Sequence, residues 1–213
     1  MHIPDGFISP QTYIPATAIS AVLLARAYKK IDLDVEKVPF IAGVSALSFV
    51  MMLIVIPFPG GTTMHLSGVA IISLLFGPWV SFSAISLVLL IQALIFGEGG
   101  ITSYPVNILA IAFVGSFSAH YAYKILLRFS QNIALFFAGW ASIFFSSALV
   151  ALVLGIQPII ASVGETPLYF PFGLSVTIPS VVIPHIFLGI VEGLVTLSGV
   201  KFLKKQFKSV FDA

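Results

Sequence analysis

The sequence predicts an all-α membrane protein, a polytopic helical bundle with about seven transmembrane helices. Of its 213 residues, 59% are hydrophobic and only 8% are charged, whereas a soluble domain carries about 25% charged residues. The mean hydropathy is +1.11, and several apolar runs approach the roughly 20 residues that a helix needs to cross hydrocarbon. Alternating segments of about ten residues, typical of a membrane barrel, are absent. We therefore expect one integral membrane domain over residues 1–213.

Seven apolar segments, joined by short polar loops, follow an N-terminal segment of residues 1–12. The predicted helices are Tyr13–Tyr28, Val38–Pro57, Leu66–Phe76, Trp79–Phe96, Val106–Leu127, Ile133–Gly155 and Leu174–Phe202. The stretch from Leu66 to Phe96 is ambiguous, because it could be one long helix or two helices broken at Gly77-Pro78.

The basic residues decide between these two possibilities. All ten lie in three clusters, which are Arg26 to Lys37, Lys124 with Arg128, and Lys201 to Lys208. Cytoplasmic loops collect Lys and Arg, so the clusters belong on one face, with an even number of crossings between the first two. Only the split at Gly77-Pro78 gives an even number. The N-terminus is then outside and the C-terminus cytoplasmic, with three outer loops, Phe58–His65, Gly97–Pro105 and Ile156–Gly173.

Met1 and His2 form a candidate metal-chelating segment by local geometry alone. The free amine, the His2 amide nitrogen and the His2 imidazole close two fused chelate rings around one ion, with three nitrogens almost in a plane. No signal peptide pattern precedes the first apolar run, so we expect Met1 to persist. His65, on a glycine-rich loop of the same predicted face, is the fourth donor.

An all-nitrogen square-planar set favours Ni²⁺ or Cu²⁺ and permits Co²⁺ with an added ligand or a suitable spin state. Mg²⁺ is disfavoured because it prefers oxygen. With no cysteine in the chain, thiolate ligands are excluded. The sequence also lacks a glycine-rich phosphate loop with its lysine, and we expect neither catalysis nor a nucleic acid partner.

Several stretches together resemble a known family. They are His2-Ile3-Pro4-Asp5-Gly6-Phe7, the loop ending in His65-Leu66-Ser67-Gly68, Leu75-Phe76-Gly77-Pro78-Trp79, residues 90–100 and Glu192-Gly193-Leu194-Val195-Thr196. In these the chain resembles the substrate-binding membrane component of cobalt/nickel energy-coupling-factor transporters. One position departs from the family pattern, because Ala110 stands where a second asparagine is common.

The resemblance implies a multi-pass subunit of the cell membrane that captures Co²⁺ or Ni²⁺ from outside, with a link to cobalamin biosynthesis. The ion is the transported ligand, not a catalytic cofactor, and its donors are the Met1 amine, the His2 amide and imidazole, and the His65 imidazole. The implied partners are a transmembrane coupling subunit, two cytoplasmic ATPases and, in some systems, a small accessory membrane protein.

Metal-bound imidazoles usually donate their second N–H to a carbonyl, amide or carboxylate. Thr63, Gln92 and Asn107 are the candidates for this supporting role, with Asn107 and Gln92 ranked first. Hydrogen bonding between helices is the alternative for both amides. We interpret Glu98 as a loop carboxylate that raises the local cation concentration.

Ala21 and Ala25 form a small-xxx-small pattern on the first helix, which allows another helix to approach closely. The pattern matches the surface by which family members meet the coupling subunit, so these two residues are the predicted interface. His185 and Glu192 share a face of the last helix, and we expect them to be structural polar residues tied to neighbouring helices. His120 is interpreted as an interfacial residue.

Two other functions fit the pattern less well. An autonomous metal permease or channel would continue its polar groups through the midplane to the cytoplasmic side. An intramembrane metallohydrolase would need a His and carboxylate set with an open water position, which His185 and Glu192 alone do not supply. The sequence leaves the choice between cobalt and nickel open.

Overall fold

The structure is a computed structural model that describes residues 2–58 and 62–208, without the side chains of residues 57, 58, 62 and 63. Met1 and the Thr63 side chain, two of the predicted site groups, therefore lie outside the described part.

The all-α prediction is confirmed, and the helices follow the predicted order. They are α1 (Pro10–Lys30), α2 (Val38–Leu53), α3 (Val69–Phe76), α4 (Pro78–Ile91), α5 (Tyr104–Asn107), α6 (Gly115–Leu126), α7 (Gln131–Gly155), α8 (Gln157–Ile160) and α9 (Leu174–Gln206). A 3₁₀ turn, Val35–Lys37, precedes α2. A π-helical turn, Gln92–Phe96, continues α4, and a longer π-helical segment, Ile108–Val114, joins α5 to α6.

Five of these helical stretches are long and apolar enough, within the described residues, to cross a membrane. They are Val35–Leu53, Pro78–Phe96, Tyr104–Leu126, Gln131–Ile160 and Leu174–Gln206. With α1 and the short α3 they make seven bundle helices. The predicted break at Gly77-Pro78 is also confirmed, since α3 ends at Phe76 and Pro78 opens α4. Proline suits the first position of a helix because it has no N–H to leave unpaired.

The segment between the second and third helices differs from the prediction. α2 ends at Leu53, and a hairpin follows in which β1 (Ile56–Phe58) pairs antiparallel with β2 (Thr62–Met64). Pro57 has no backbone N–H, which disfavours continuation of a helix through this position. The predicted loop Phe58–His65 is thus partly a strand. A second hairpin, β3 (Ser162–Val163) with β4 (Thr166–Pro167), lies between α8 and α9.

Helix α3 lies in the interior of the bundle, with its first five residues buried. It packs against α2, α4, α6, α7 and α9, while α7 and α9 pack along one another. A helix of only 8 residues rises about 12 Å, too short to span a membrane, so its neighbours shield it. Its burial fixes the preceding residues, Met64 to Gly68, at one end of the bundle.

Candidate metal site

The structure brings His2 and His65 together at one end of the bundle. Their imidazole rings stack with centroids 4.6 Å apart and an angle of 22° between the planes. His65 is 1% exposed, and its Nδ1–H donates to the carbonyl of Leu66 at 3.2 Å. The Nε2 atoms of both imidazoles are buried and have no hydrogen-bond partner among the described residues.

Both imidazoles are neutral at physiological pH. Burial lowers the pKa of His65 well below its ordinary value, and the nearby imidazoles of His2 and His185 lower it further. Burial also lowers the pKa of His2, although Glu98 opposes this effect. A histidine must be neutral to bind a metal, so the lone pairs of this site are available without prior loss of a proton.

Glu98 supplies a negative charge beside the pair. Its Oε2 atom lies 3.9 Å from Nδ1 of His2, and the contact with His2 lowers the pKa of Glu98. The carboxylate is therefore ionised at neutral pH and attracts cations to this end of the bundle.

The N-terminal segment is held in place chiefly through its backbone at Ile3. The side chain of Asn107 accepts from the Ile3 N–H at 2.9 Å and donates to the Ile3 carbonyl at 3.0 Å. The same carbonyl accepts from the Gly100 N–H at 3.2 Å and from the Ser103 hydroxyl. Because buried amide groups require partners, this arrangement fixes the residue that follows His2.

Asp5 fastens the segment to the loop before α5. Its carboxylate accepts hydrogen bonds from the backbone N–H of Ile101 at 3.0 Å and of Thr102 at 2.8 Å, and from the Thr102 hydroxyl. These bonds, led by the hydroxyl, lower the pKa of Asp5. The loop approaches so closely that a Cβ atom at Gly100 would lie 2.4 Å from the Asp5 nitrogen. Only glycine fits there.

Two further contacts extend the attachment to the other side of the bundle. The Ser9 N–H donates to the side chain of the buried Gln157 at 2.9 Å. The Phe7 carbonyl accepts from the Phe170 N–H at 3.3 Å, and the two phenyl rings lie 5.6 Å apart. Residues 2–9 are thus bound to both the α4–α5 and the α8–α9 connections.

Of the predicted supporting residues, Asn107 and Gln92 are both buried. Asn107 bonds to the backbone beside His2. The Gln92 side chain donates to the Phe49 carbonyl at 3.4 Å, and its Oε1 atom has no partner within the described part of the chain. Both residues adjoin the π-helical segments, a feature common near functional sites.

Sequence reasoning missed the roles of Asp5, Ser103, Gln157 and Glu192 in building the site. Asp5 lies in the recognised opening motif, so its position carried a signal. Glu192 also lies in one of the motifs and was expected to be tied to a neighbouring helix, but its partners were not identified. Ser103 and Gln157 bind backbone groups far away in the chain, and no spacing rule identifies such partners.

The last predicted polar residues, His185 and Glu192, are fully buried. The Glu192 carboxylate accepts hydrogen bonds from Ser67 and Gly68, at the start of α3. Nδ1 of His185 donates to the Val181 carbonyl one turn earlier, at 2.7 Å. The predicted interface residues Ala21 and Ala25 are exposed on α1.

No group of three or more His, Cys, Asp and Glu side chains is placed to hold a metal ion within residues 2–58 and 62–208. Two imidazoles need further donors to complete a coordination shell. Among the described residues, the backbone nitrogen of His2 itself is the nearest such group in the sequence, because the Ile3 nitrogen is bonded to Asn107.

The fold and the site together define a multi-spanning membrane protein with paired neutral histidines at one end, as in a metal-binding transport component. The chain belongs to the CbiM family, the cobalt uptake substrate-specific transmembrane region, which matches residues 2–210. This membership places it among components of metal transport and not among enzymes.

Relatives named for nickel and for cobalt both resemble the chain. It is 37% identical to a fused nickel transport protein of Rhodobacter capsulatus, over 97% of the chain but 62% of that protein. It is 29% identical to the cobalt transport protein CbiM of Thermosipho melanesiensis, over 98% of the chain and 88% of that protein. The chain thus spans less than two thirds of the fused relative.

A solved structure has the same fold. The crystal structure of a truncated transition metal transporter matches with a TM-score of 0.92 and 36% identity, over 97% of this chain and 99% of that one. This agreement extends over all seven bundle helices.

Proposed function

We propose that this chain captures Co²⁺ or Ni²⁺ at the outer face of the cell membrane, as the substrate-specific subunit of an ATP-driven uptake transporter. The donors are the Met1 amine, the His2 amide and imidazole, and the His65 imidazole. Family membership and the named relatives support the substrate class.

The observation that carries this proposal is the pairing of His2 with His65, two buried imidazoles 4.6 Å apart from distant parts of the sequence. His65 keeps an unpartnered Nε2 among the described residues, and Nδ1 of His2, the atom that closes the proposed chelate ring, lies 3.9 Å from the Glu98 carboxylate. An unpaired buried polar atom costs free energy, and a bound ion that recruits the imidazoles removes part of that cost.

The supporting roles follow from the contacts. Asn107 keeps the backbone beside His2 in position, and Gln92 and Thr63 are proposed to complete the polar surroundings of the ion. The Leu66 carbonyl orients His65 through its Nδ1–H, in the way that outer partners orient metal-bound histidines.

Release into the cell requires partners. We propose a transmembrane coupling subunit that contacts α1 at the exposed Ala21 and Ala25, two cytoplasmic ATPases that supply the energy, and a small accessory membrane subunit. The sequence contains no phosphate-loop motif, so we propose that partner proteins supply the energy.

The test compares metal binding by two purified forms of the chain. One has its authentic N-terminus, and the other has its Met1 amine blocked by acetylation, with His2→Ala as a control that removes one imidazole. We expect Ni²⁺ and Co²⁺ binding by the first form and a loss of at least about tenfold in the blocked form. Equal affinity in both forms would exclude chelation by the terminal amine.

A further inference from the structure

Glu192 is a buried carboxylate whose three hydrogen bonds all lead to the segment that carries His65. It accepts from the Ser67 N–H at 3.0 Å, the Ser67 hydroxyl at 2.8 Å and the Gly68 N–H at 2.8 Å. Glu192 and Ser67 are 0% and 2% exposed. Both carboxylate oxygens are used as acceptors.

These bonds fix the backbone immediately after the proposed metal ligand. Ser67 and Gly68 follow His65 by two and three residues, and the His65 ring is itself tied to the carbonyl of the intervening Leu66. A displacement of Ser67 therefore carries the Leu66 carbonyl and the imidazole with it. The position of Nε2 of His65 depends on this short chain of contacts.

Glu192 is in turn held by close packing between α7 and α9. A Cβ atom at Gly139 on α7 would lie 2.6 Å from the Glu192 carbonyl, so the two backbones are nearly in contact at the level of this residue. Such an approach leaves little freedom for α9 to shift. The carboxylate therefore stands at a fixed point opposite the start of α3.

Burying a carboxyl group at this depth costs free energy, so its presence calls for an explanation. Ionisable residues inside membrane proteins are expensive to bury and are functional candidates by default. A neutral capping residue would satisfy the start of α3 at a lower cost in desolvation. The carboxylate supplies instead two acceptor oxygens, which hold two successive backbone N–H groups and the Ser67 hydroxyl together.

We propose that Glu192 is a positioning residue for metal capture, which holds His65 in the place where its Nε2 meets the ion. The proposal rests on the proposed function, since it assumes that His65 is a ligand. It assigns to α9 a direct influence on the affinity of the site, although α9 contributes no ligand itself.

The experiment uses the full chain with its authentic N-terminus, purified in detergent, and the variants Glu192→Gln and Thr196→Val. Gln keeps the size of the side chain but turns an amide NH₂ toward donors. Thr196 is the matched control, because it is buried one turn further along α9 and its hydroxyl has no hydrogen-bond partner among the described residues. Ni²⁺ affinity, the visible ligand-field spectrum at saturating Ni²⁺, and the melting temperature without metal are measured.

We expect Glu192→Gln to weaken Ni²⁺ binding by about 10- to 100-fold, the range for groups that orient metal ligands. Its ligand-field spectrum should shift, because one nitrogen is replaced by a weaker donor. Thr196→Val should bind as the unaltered chain does, and Glu192→Asp should fall between them. A purely structural cap would lower the melting temperature and leave affinity and spectrum unchanged, which would overturn the proposal.

If Glu192→Gln does not fold, the variant Ser67→Ala tests the positioning role of Glu192 instead. It removes the hydroxyl bond and leaves the two backbone donors, so we expect a smaller loss of affinity with a partial spectral shift. An unchanged affinity and spectrum in a folded Ser67→Ala protein would then count against the positioning role. Failure of the unaltered chain to bind Ni²⁺ or Co²⁺ would instead refute the proposed function, so the two results are distinguishable.

Discussion

The side-chain amide of Asn107 holds both backbone groups of Ile3, accepting from its N–H at 2.9 Å and donating to its carbonyl at 3.0 Å. One side chain thus fixes the peptide units on either side of the residue that follows His2. The amide acts on the proposed metal site through this backbone and has no bond to either imidazole among the described contacts. Its loss should therefore displace a proposed ligand without removing one.

Asn107→Asp tests this relationship. The acceptor for the Ile3 N–H stays, but the donor to the Ile3 carbonyl is replaced by a negatively charged oxygen. The Ile3 carbonyl keeps the Gly100 and Ser103 donors, but a buried charged oxygen without a donor beside it is costly, and we expect Ni²⁺ affinity to fall by about 10- to 100-fold. Isothermal titration measures the affinity. Asn132→Asp, the same change at an exposed position of α7, should have no effect, and equal affinities in the two variants would refute the role of Asn107.

Gly100→Ala should have a comparable effect by steric means. The added Cβ would lie 2.4 Å from the Asp5 nitrogen, so the N-terminal segment must move away from the α4–α5 connection. Gly43→Ala is the matched control, because a Cβ there meets nothing within 4 Å and alanine favours helix by about 0.5–1 kcal/mol. We expect weaker Ni²⁺ binding in the first variant and unchanged binding with a slightly higher melting temperature in the second. Tight binding by Gly100→Ala would show that the segment need not be seated there.

The charge of Glu98 should affect the rate of binding more than its strength. Glu98→Gln removes the negative charge beside His2, so association of Ni²⁺ should slow by a few-fold at low ionic strength, and the difference should shrink in about 1 M salt. Stopped-flow mixing measures the two rates. Glu165→Gln, on an exposed loop at the other connection, is the control. If Glu98→Gln mainly accelerates dissociation, the carboxylate is a ligand and not an attractor.

The lowered pKa values of His2 and His65 predict how many protons the ion displaces. At pH 6 an ordinary imidazole with a pKa near 6.5 is about three-quarters protonated, so two of them would release about 1.5 protons. Imidazoles with a lowered pKa release fewer, so the total falls below about 3.5 protons per ion, toward the two that come from the amine and the amide. Calorimetry in buffers of different ionisation enthalpy counts them. A release of about 3.5 protons would contradict the lowered pKa values.

The same shifts predict the pH dependence of stability without metal. In the unfolded chain the two imidazoles take up protons below about pH 6.5, while in the folded chain they resist protonation to lower pH. The unfolded state then binds more protons, so the free energy of unfolding falls as pH drops below this value. Asp5 has a lowered pKa in the folded chain, so its contribution is lost only at more acid pH, below about 3.9. Melting curves of the metal-free protein and of His65→Phe separate the pH range of the histidines from that of Asp5. An unchanged pH profile in His65→Phe would refute the predicted effect of the histidines.

The proposed orientation is testable because the chain has no cysteine. Two exposed positions suit single cysteines. They are Glu165, in the connection between β3 and β4, and Asp32, between α1 and α2. In intact cells an impermeant maleimide should label Glu165→Cys and not Asp32→Cys. If only Asp32→Cys were labelled, the chain would have the opposite orientation in the membrane.

The helices were predictable because their signal is local. A run of apolar residues of membrane length identifies a span wherever it lies, and Pro78 marks the start of α4 without reference to other segments. The hairpin of β1 with β2 was not predictable in the same way. The apolar residues of β1 continue the run of α2, so they resemble the end of that helix, and the strand forms only by pairing with β2 across a turn.

The sequence identified the proposed ligands of the site but not the contacts that hold them in place. His2 carries a chelating geometry in its own sequence position, and positive-inside counting assigned His65 to the same face. Glu192 and Gln157 act instead on backbone groups more than a hundred residues away along the chain. A backbone N–H has no residue type, so the sequence contains no complementary pattern by which such contacts can be recognised.

The attachment of the N-terminal segment through backbone groups has a consequence for the choice of ion. The peptide units of Ile3 and Ser9 are bound by Asn107 and Gln157, and these bonds would form whatever side chain stood at position 2. The fold thus sets the position of residue 2, while the side chain at that position determines which donor atom is offered to an ion. A chain with another donor at position 2 would present it at the same point, so metal preference can change through one or two side chains while the scaffold stays as it is.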